Sequence, residues 1–363
     1  MHFSISINML KSIFRYSLLL TSCLFLVSWG GTGHSIINRK STESFPVSMS
    51  AFRVWTDSLS ANASNADARK SQDNTESPKH YLDIENYIEF NTTGRIASTY
   101  DSIVSRHGSS FVISNGTLPW ATMNMYETLK ADFEKCLWHK AMLDASDLGH
   151  YVADGHMPLH ISANYDGQQT GNNGIHSRYE SSMVGMYQAV LSTYKGDSVH
   201  KVSNVANYVF NYIYTNHHYV DSVLAADTYA TNLAGNSASS DYYAALWSKT
   251  TFTPKLFSNA SHVLAELIFT AWVEAGKPAF GTVNSLQGVS ISTMTVYPNP
   301  TKGTLTVKAE DMVKADVFNI TGKLVAQFYT TQTDLSYLTA GIYTLNIYCK
   351  NGWLRKAKVL LER

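Results

Sequence analysis

The residues best suited to chemistry in this chain are histidines and acids that recur at helical spacing. His150 and Asp154, in HYVAD, stand four apart, and side chains four apart share one face of a helix. Two such groups can converge on one ion. His160 follows six residues later, past a turn made by Gly155 and Pro158 that would redirect the chain and bring in a third ligand. His176 and Glu180, in GIHSRYE, repeat the four-residue spacing, so five candidate ligands fall within 31 residues. Neutral imidazole and carboxylate are the ordinary non-thiol ligands of zinc, and a catalytic zinc keeps one position open for water. Calcium or magnesium would call for more oxygen and less nitrogen. Taken singly, each pair reads first as two hydrogen-bonded neighbours on a helix; the joint pattern is what points to metal. Cys23, Cys136 and Cys349 are too few and too scattered for a disulfide framework or a Cys-rich zinc module. His156 reads as a neutral structural histidine, His139 lies too far along the helix to share an ion, and His217 and His218 read as packing residues.

The elements that must hold these side chains can be read from composition and periodicity. The chain has 363 residues, 28 basic against 28 acidic, which argues against binding nucleic acid or anionic membrane by bulk positive charge. Only 15% of residues are charged and 44% are hydrophobic, so the chain folds, and its length predicts two or three domains. Residues 129–155 place Phe133, Leu137, Met142, Leu148 and Val152 near a 3.6-residue period, which predicts one long helix closed by Gly155 and Pro158. Similar patterns run through 178–194, 203–233 and 255–275, making residues 29–280 an all-α, multi-helix domain; 58–78 reads as ordered loop or short helix ends. Residues 281–293 read as a linker, and 294–363 alternate apolar and polar residues between turn signals, as in a small all-β sandwich of about seven short strands. At the other end, Lys11 and Arg15 precede an apolar run of 12 residues, Tyr16 to Val27. This predicts a signal peptide over 1–28 and Trp29 as the mature N-terminus, with lipoprotein processing at Cys23 as the rival. No other run approaches 18 apolar residues, so the mature chain is expected to lack a transmembrane segment.

Tyr297-Pro298-Asn299-Pro300, then Gly303, the hairpin Asn319-Ile320-Thr321-Gly322-Lys323, and Gly341-Ile342-Tyr343 occur in that order near the C-terminus. The tail carrying them resembles the C-terminal sorting domain of type IX secretion, the alternative being an ordinary carbohydrate-binding or adhesive β-module. That resemblance implies export through the periplasm and outer membrane by the type IX machinery, to a secreted or surface-attached form.

The string His150-YVA-Asp154-GHMPL-His160, with Pro158 two before the last histidine, resembles the core motif of the zinc-dependent phospholipases C and the related single-strand-specific zinc nucleases. Mature members begin with Trp, and this chain has WGGTGH, from Trp29 to His34, at its expected cleavage site. Over residues 29–275 the resemblance implies three zinc ions. One would be held by Asp67, His80, His150 and Asp154, a second by His160, His176 and Glu180, and a third by Trp29, through its α-amine and carbonyl, with His34 and Asp154. Relatives carry Pro-Asp where this chain has Ala66-Asp67, and Asp73 competes for that position. The implied chemistry is phosphodiester hydrolysis, with zinc-activated water attacking phosphorus in line, Asp67 orienting it or taking its proton, and Lys70 adding positive charge. Glu180 and the 15 residues between His160 and His176 look like the phospholipase branch. Tyr81 and Asp83 look like the nuclease branch, where they would stack on and hydrogen-bond a base, while Ala68 and Ser77 lack the aromatic groups of a choline pocket. The reading is therefore a monomeric phospholipase C type enzyme acting on phospholipid head groups, with single-stranded nucleic acid as the alternative substrate. A non-catalytic surface protein stabilised by zinc stands as the reading from a different class.

Overall fold

The computed structural model describes residues 30–281, 296–309, 312–349 and 354–362. The expected signal peptide, Trp29 and nearly all of the expected linker lie outside these residues. A helical region is followed by an antiparallel β region. Contacts divide the chain into two compact units, Met1–Glu127 with Asp144–Thr270, and Thr128–Leu143 with Ala271–Arg363.

Six helices of ten residues or more are described: α1 (Leu118–Glu134), α2 (Trp138–Asp154), α3 (Val205–His217), α4 (Val220–Ala234), α5 (Ser240–Lys249) and α6 (Thr253–Glu274). The single helix expected over 129–155 is two. Cys136 takes a left-handed φ of 54°, and Leu137 N–H turns back to the Asp132 carbonyl at 2.9 Å. No Gly or Pro marks that break, so hydrophobic period alone ran through it. The pattern over 203–233 likewise covers two helices, α3 and α4.

Helix α6 buries Leu256, Phe257, Ala260, Val263, Leu264, Leu267 and Ile268, a stripe at three- and four-residue intervals. It is long and apolar enough to cross a membrane, but 72% of its most apolar window is buried, as in a core helix. Helix α2 comes close to its neighbours at Gly149, where a Cβ would sit 2.0 Å from Asn38 Oδ1 and 2.7 Å from Leu264. Asn38 uses that space to donate to the carbonyls of Leu59 and Ser146, at 3.2 and 3.0 Å. Glycine next to His150 thus lets the N-terminal segment lie against the helix that carries His150 and Asp154.

In the second unit, β1 (Val296–Tyr297), β2 (Thr304–Val307) and β5 (Gln332–Asp334) form one sheet in the order β1-β2-β5. β3 (Met312–Phe318), β4 (Leu324–Phe328), β6 (Gly341–Cys349) and β7 (Leu354–Leu361) form the other, in the order β4-β3-β6-β7. Leu305 and Val307 of the first sheet share a core with Ala315, Val317, Leu345, Ile347 and Val359 of the second, so the unit is a sandwich. Register pairs Val317 with Leu345 and Leu345 with Ala357, keeping the apolar set on one face. Two of the tail motifs have local reasons. Asn319 Oδ1 accepts from the amides of Thr321 and Lys323, closing the hairpin. Gly303, at φ 149°, has Ser336 2.6 Å from where a Cβ would stand.

Candidate metal centre

Asp154 ends α2, and its carboxylate is fully buried. Oδ2 lies 3.1 Å from His80 Nδ1 and 3.3 Å from His150 Nε2. Oδ1 lies 3.1 Å from His160 Nδ1 and 3.4 Å from His34 Nε2. Four imidazoles from four separate segments therefore meet on one carboxylate. Asp67 Oδ1 stands 3.5 Å from His80 Nδ1 and 3.6 Å from His150 Nε2. Beyond them, Glu180 Oε1 is 3.4 Å from His160 Nε2 and Oε2 is 2.5 Å from His176 Nε2. Among the described residues three sets have donor atoms within 4.8 Å of one another: His34, His150 and Asp154; Asp67, His80 and His150; and His160, His176 and Glu180. Trp29 lies outside the described residues.

Short, irregular elements deliver most of these groups. Asp67 sits in the one-and-a-half-turn helix Asn65–Arg69, while His80 and His160 sit in the 3₁₀ turns Ser77–His80 and Pro158–Ile161. His34 ends the π-helical turn Gly30–His34, and Glu180 lies in another, Arg178–Met183. The two 3₁₀ turns are tied together where Leu82 N–H donates to the His160 carbonyl at 2.8 Å.

The imidazoles are oriented from behind. Nδ1 of His150 donates to the Ala63 carbonyl at 2.8 Å, and Nδ1 of His176 to the Tyr165 carbonyl at 3.0 Å. His160 Nδ1 does the same to the His80 carbonyl at 2.9 Å. A carbonyl can only accept, so each of these rings carries a hydrogen on Nδ1 and turns Nε2 toward a carboxylate of the cluster. His80 is reversed, with Nδ1 inward, 2.9 Å from His150 Nε2. Two ring nitrogens at that distance need a proton or a cation between them.

Electrostatics agree with a cation well. Burial opposes ionisation of Asp154, yet His150 and His160 hold it well below the ordinary carboxylate value. Burial likewise opposes ionisation of Glu180, and His160 and His176 bring it down to about 2. Burial, helped by His150, pushes His34 down to about 3, leaving the neutral ring that a metal requires. Buried carboxylates and imidazoles oriented by backbone carbonyls are zinc's donor set, and these residues fit that ion. The clusters are able to bind metal.

A cleft of about 480 Å³ opens beside the cluster, lined by Lys70, Ser77, Tyr81, Asp83 and Tyr165 together with His80, His160 and His176. Lys70 Nζ is 2.7 Å from Asp67 Oδ1. Burial, then the neighbouring Glu85, raises Asp83 to about 6. Asp73, the competitor of Asp67, is half-buried and turned to Thr75, accepting from its amide at 2.8 Å. His156 is a buried neutral ring, pushed down to about 4 by burial, donating to the Val152 carbonyl and stacked on Tyr212 at 4.5 Å. His217 pairs with Glu85 at 2.7 Å.

Three features escaped the sequence reading. Tyr165 lines the cleft while its carbonyl holds His176. Asp227 anchors the His176–Glu180 segment, accepting from Arg178 at 2.8 Å, from Asn172 at 2.7 Å and from Tyr242. Glu76, 1% exposed, accepts from Lys79 at 2.8 Å and Tyr151 at 2.5 Å, and its Oε1 lies 3.4 Å from His80 Nε2. A signal for Glu76 was present, since it stands four before His80, the same spacing as the two His–acid pairs already singled out.

No curated protein matches the sequence. In structure the chain is similar to the alpha toxin of Clostridium absonum, with 12% identity, 88% of each chain covered and a TM-score of 0.42. It is also similar to the alpha-toxin of an avian strain of Clostridium perfringens, with 9% identity, 88% of each chain covered and a TM-score of 0.44. Residues 295–361 match the family described as secretion system C-terminal sorting domain. The chain thus ends in a sorting domain of type IX secretion, which marks it for export to the cell surface or beyond.

Proposed function

We propose that the helical unit is an exported zinc-dependent phosphodiester hydrolase of phospholipase C type. The observation that carries this reading is the buried carboxylate of Asp154 at the junction of three His–carboxylate groups, beside an open cleft. His80, Asp67, His150 and Asp154 would hold one ion, His160, His176 and Glu180 a second, and His34 with Asp154 and the mature Trp29 a third. Zinc bound there would supply Lewis acidity toward a phosphoryl oxygen and a water acidic enough to attack phosphorus near neutral pH.

The chain's own residues supply the rest. Asp67 borders both the cluster and Lys70, so its carboxylate is positioned to orient a water or accept a proton. Lys70 lines the cleft as a point charge for a phosphate. Tyr81 and Tyr165 offer aromatic faces near Asp83, a setting that suits a cationic head group. The same Tyr81 and Asp83 support the second reading, a single-strand-specific nuclease, in which they would stack on and hydrogen-bond a base. The cleft opening onto the ligands speaks against a purely structural metal.

The test is the mature exported protein, loaded with zinc and assayed in parallel on phosphatidylcholine vesicles and single-stranded DNA, with a chelator control. Diacylglycerol release that the chelator stops is the expected result. Nucleotide release with intact lipid would move the assignment to the nuclease branch, and no turnover of either by the zinc-loaded protein would sink both.

A further inference from the structure

We propose that Glu76 is a positioning residue for the metal centre, fixing His80 with Nδ1 toward the ligand cluster and strengthening that nitrogen as a donor. This rests on the metal-binding reading above. His150, His160 and His176 are each backed at Nδ1 by a neutral backbone carbonyl and turn Nε2 toward Asp154 in the first case and Glu180 in the other two. Of these four rings His80 is the one backed by a carboxylate: Nε2 faces Glu76 Oε1 at 3.4 Å, while Nδ1 faces Asp154 and His150. The acceptor behind a ligating imidazole decides which nitrogen carries the hydrogen, and an ionised acceptor makes the ring more basic than a neutral one does.

Glu76 is built to stay ionised and still. Its carboxylate is buried, accepts from Lys79 Nζ and the Tyr151 hydroxyl, and pairs with Arg69 at 3.3 Å. Arg69 also pairs with Asp147 at 2.8 Å, so two cations meet two carboxylates and the network balances without drawing on His80. A balanced network spends no part of the His80 interaction on neutralising its own charge. Its two ends are anchored to the site from both sides, because Arg69 lies two after Asp67 and Tyr151 follows His150.

The experiment compares the full mature chain with Glu76→Gln, which keeps size and polarity but removes the charge. Zinc affinity is read by competition with a chromophoric chelator, and coordination by the visible spectrum of the cobalt-substituted protein. Lys79→Ala serves as a control that disturbs the same network at Oε2 rather than at Oε1, the oxygen nearest His80. The expected result is zinc binding weakened about 10–100-fold in Glu76→Gln with altered cobalt bands, and affinity kept within about threefold in Lys79→Ala. Should Glu76→Gln fail to fold, Tyr151→Phe removes the donor to Oε1, the oxygen that faces His80, whereas Lys79 donates to Oε2, and it should give a smaller loss in the same direction. Parent-like affinity and cobalt bands in folded Glu76→Gln would overturn the positioning role, as would equal losses in Lys79→Ala. A parent chain that binds no zinc would instead overturn the metal reading on which the role depends.

Discussion

Asp154→Asn is the sharpest single perturbation of the site. The carboxylate offers each oxygen to two imidazoles, at 3.1–3.4 Å, and is fully buried. Asparagine keeps the shape but turns an amide N–H₂, which has no lone pair, toward one of those pairs. Loss of a partner behind a ligand costs about 10–100-fold in metal affinity, so loss of a shared ligand should reach at least the upper figure. A site held at a thousand times its dissociation constant adds about 4.1 kcal/mol of stability, and one a hundredfold weaker at the same zinc adds about 1.4 kcal/mol. Each kcal/mol moves the midpoint of a unit of roughly 150–250 residues by about 2–4 °C. Zinc should therefore raise the parent's midpoint by about 8–16 °C per site and the variant's by about 3–6 °C. The assay is thermal unfolding followed by the helical circular dichroism signal, with and without zinc, each protein compared with its own chelated form. Metal content after dialysis is measured alongside. Equal zinc-induced shifts and equal metal content in the two proteins would refute the assignment of Asp154 as the shared ligand.

Further outcomes follow from other parts of the molecule. Asp227→Ala leaves the largely buried Arg178 without its counter-charge and should cost about 3–5 kcal/mol in urea unfolding. It should also loosen zinc at the His176–Glu180 group, read by the same chelator competition. Asp83→Asn should remove a transition near pH 6 from the pH profile of kcat/KM, because the carboxyl ionises only above about 6; persistence of that transition would exclude Asp83 as its source. Burial opposes ionisation of Glu266, but His262, Tyr208 and the His200 amide hold it below its ordinary 4.5. Its share of stability is complete above 4.5 and is lost as pH falls toward the lower folded value. His262, raised by its hydrogen bond to Glu266, contributes fully below 6.5 and loses its share as pH rises through the raised value. Glu266→Gln should flatten both limbs of stability against pH, and unchanged limbs would count against the pair.

Much of the site was legible because helical spacing converts directly into a shared face. His150 with Asp154 and His176 with Glu180 meet as the four-residue interval implies, and the turn at Gly155 and Pro158 does bring His160 back to Asp154. Convergence across segments was not legible. That Asp67 rather than Asp73 faces His80 depends on how the short helix Asn65–Arg69 lies against α2, which no local pattern encodes. The break at Cys136 was hidden because a left-handed non-glycine residue carries no sequence mark. The seven strands were legible because alternation and turn residues agree there, as at Asn319, whose side chain closes the turn that its sequence announces.

The π-helical turns bear on how this chain can change in length. A π turn carries one residue more than the α-helix it interrupts, and both His34 and Glu180 sit in such turns. Deleting one residue from Arg178–Met183 would let the ladder close into regular helix, locally the better structure, and because the wide turn absorbs the extra residue it is the side chains within the turn, Glu180 among them, that would be re-aimed. The segment is thus a poorer helix than it could be, and the position of Glu180 depends on its remaining so. Around this site substitutions can be graded, whereas insertions and deletions are all-or-none.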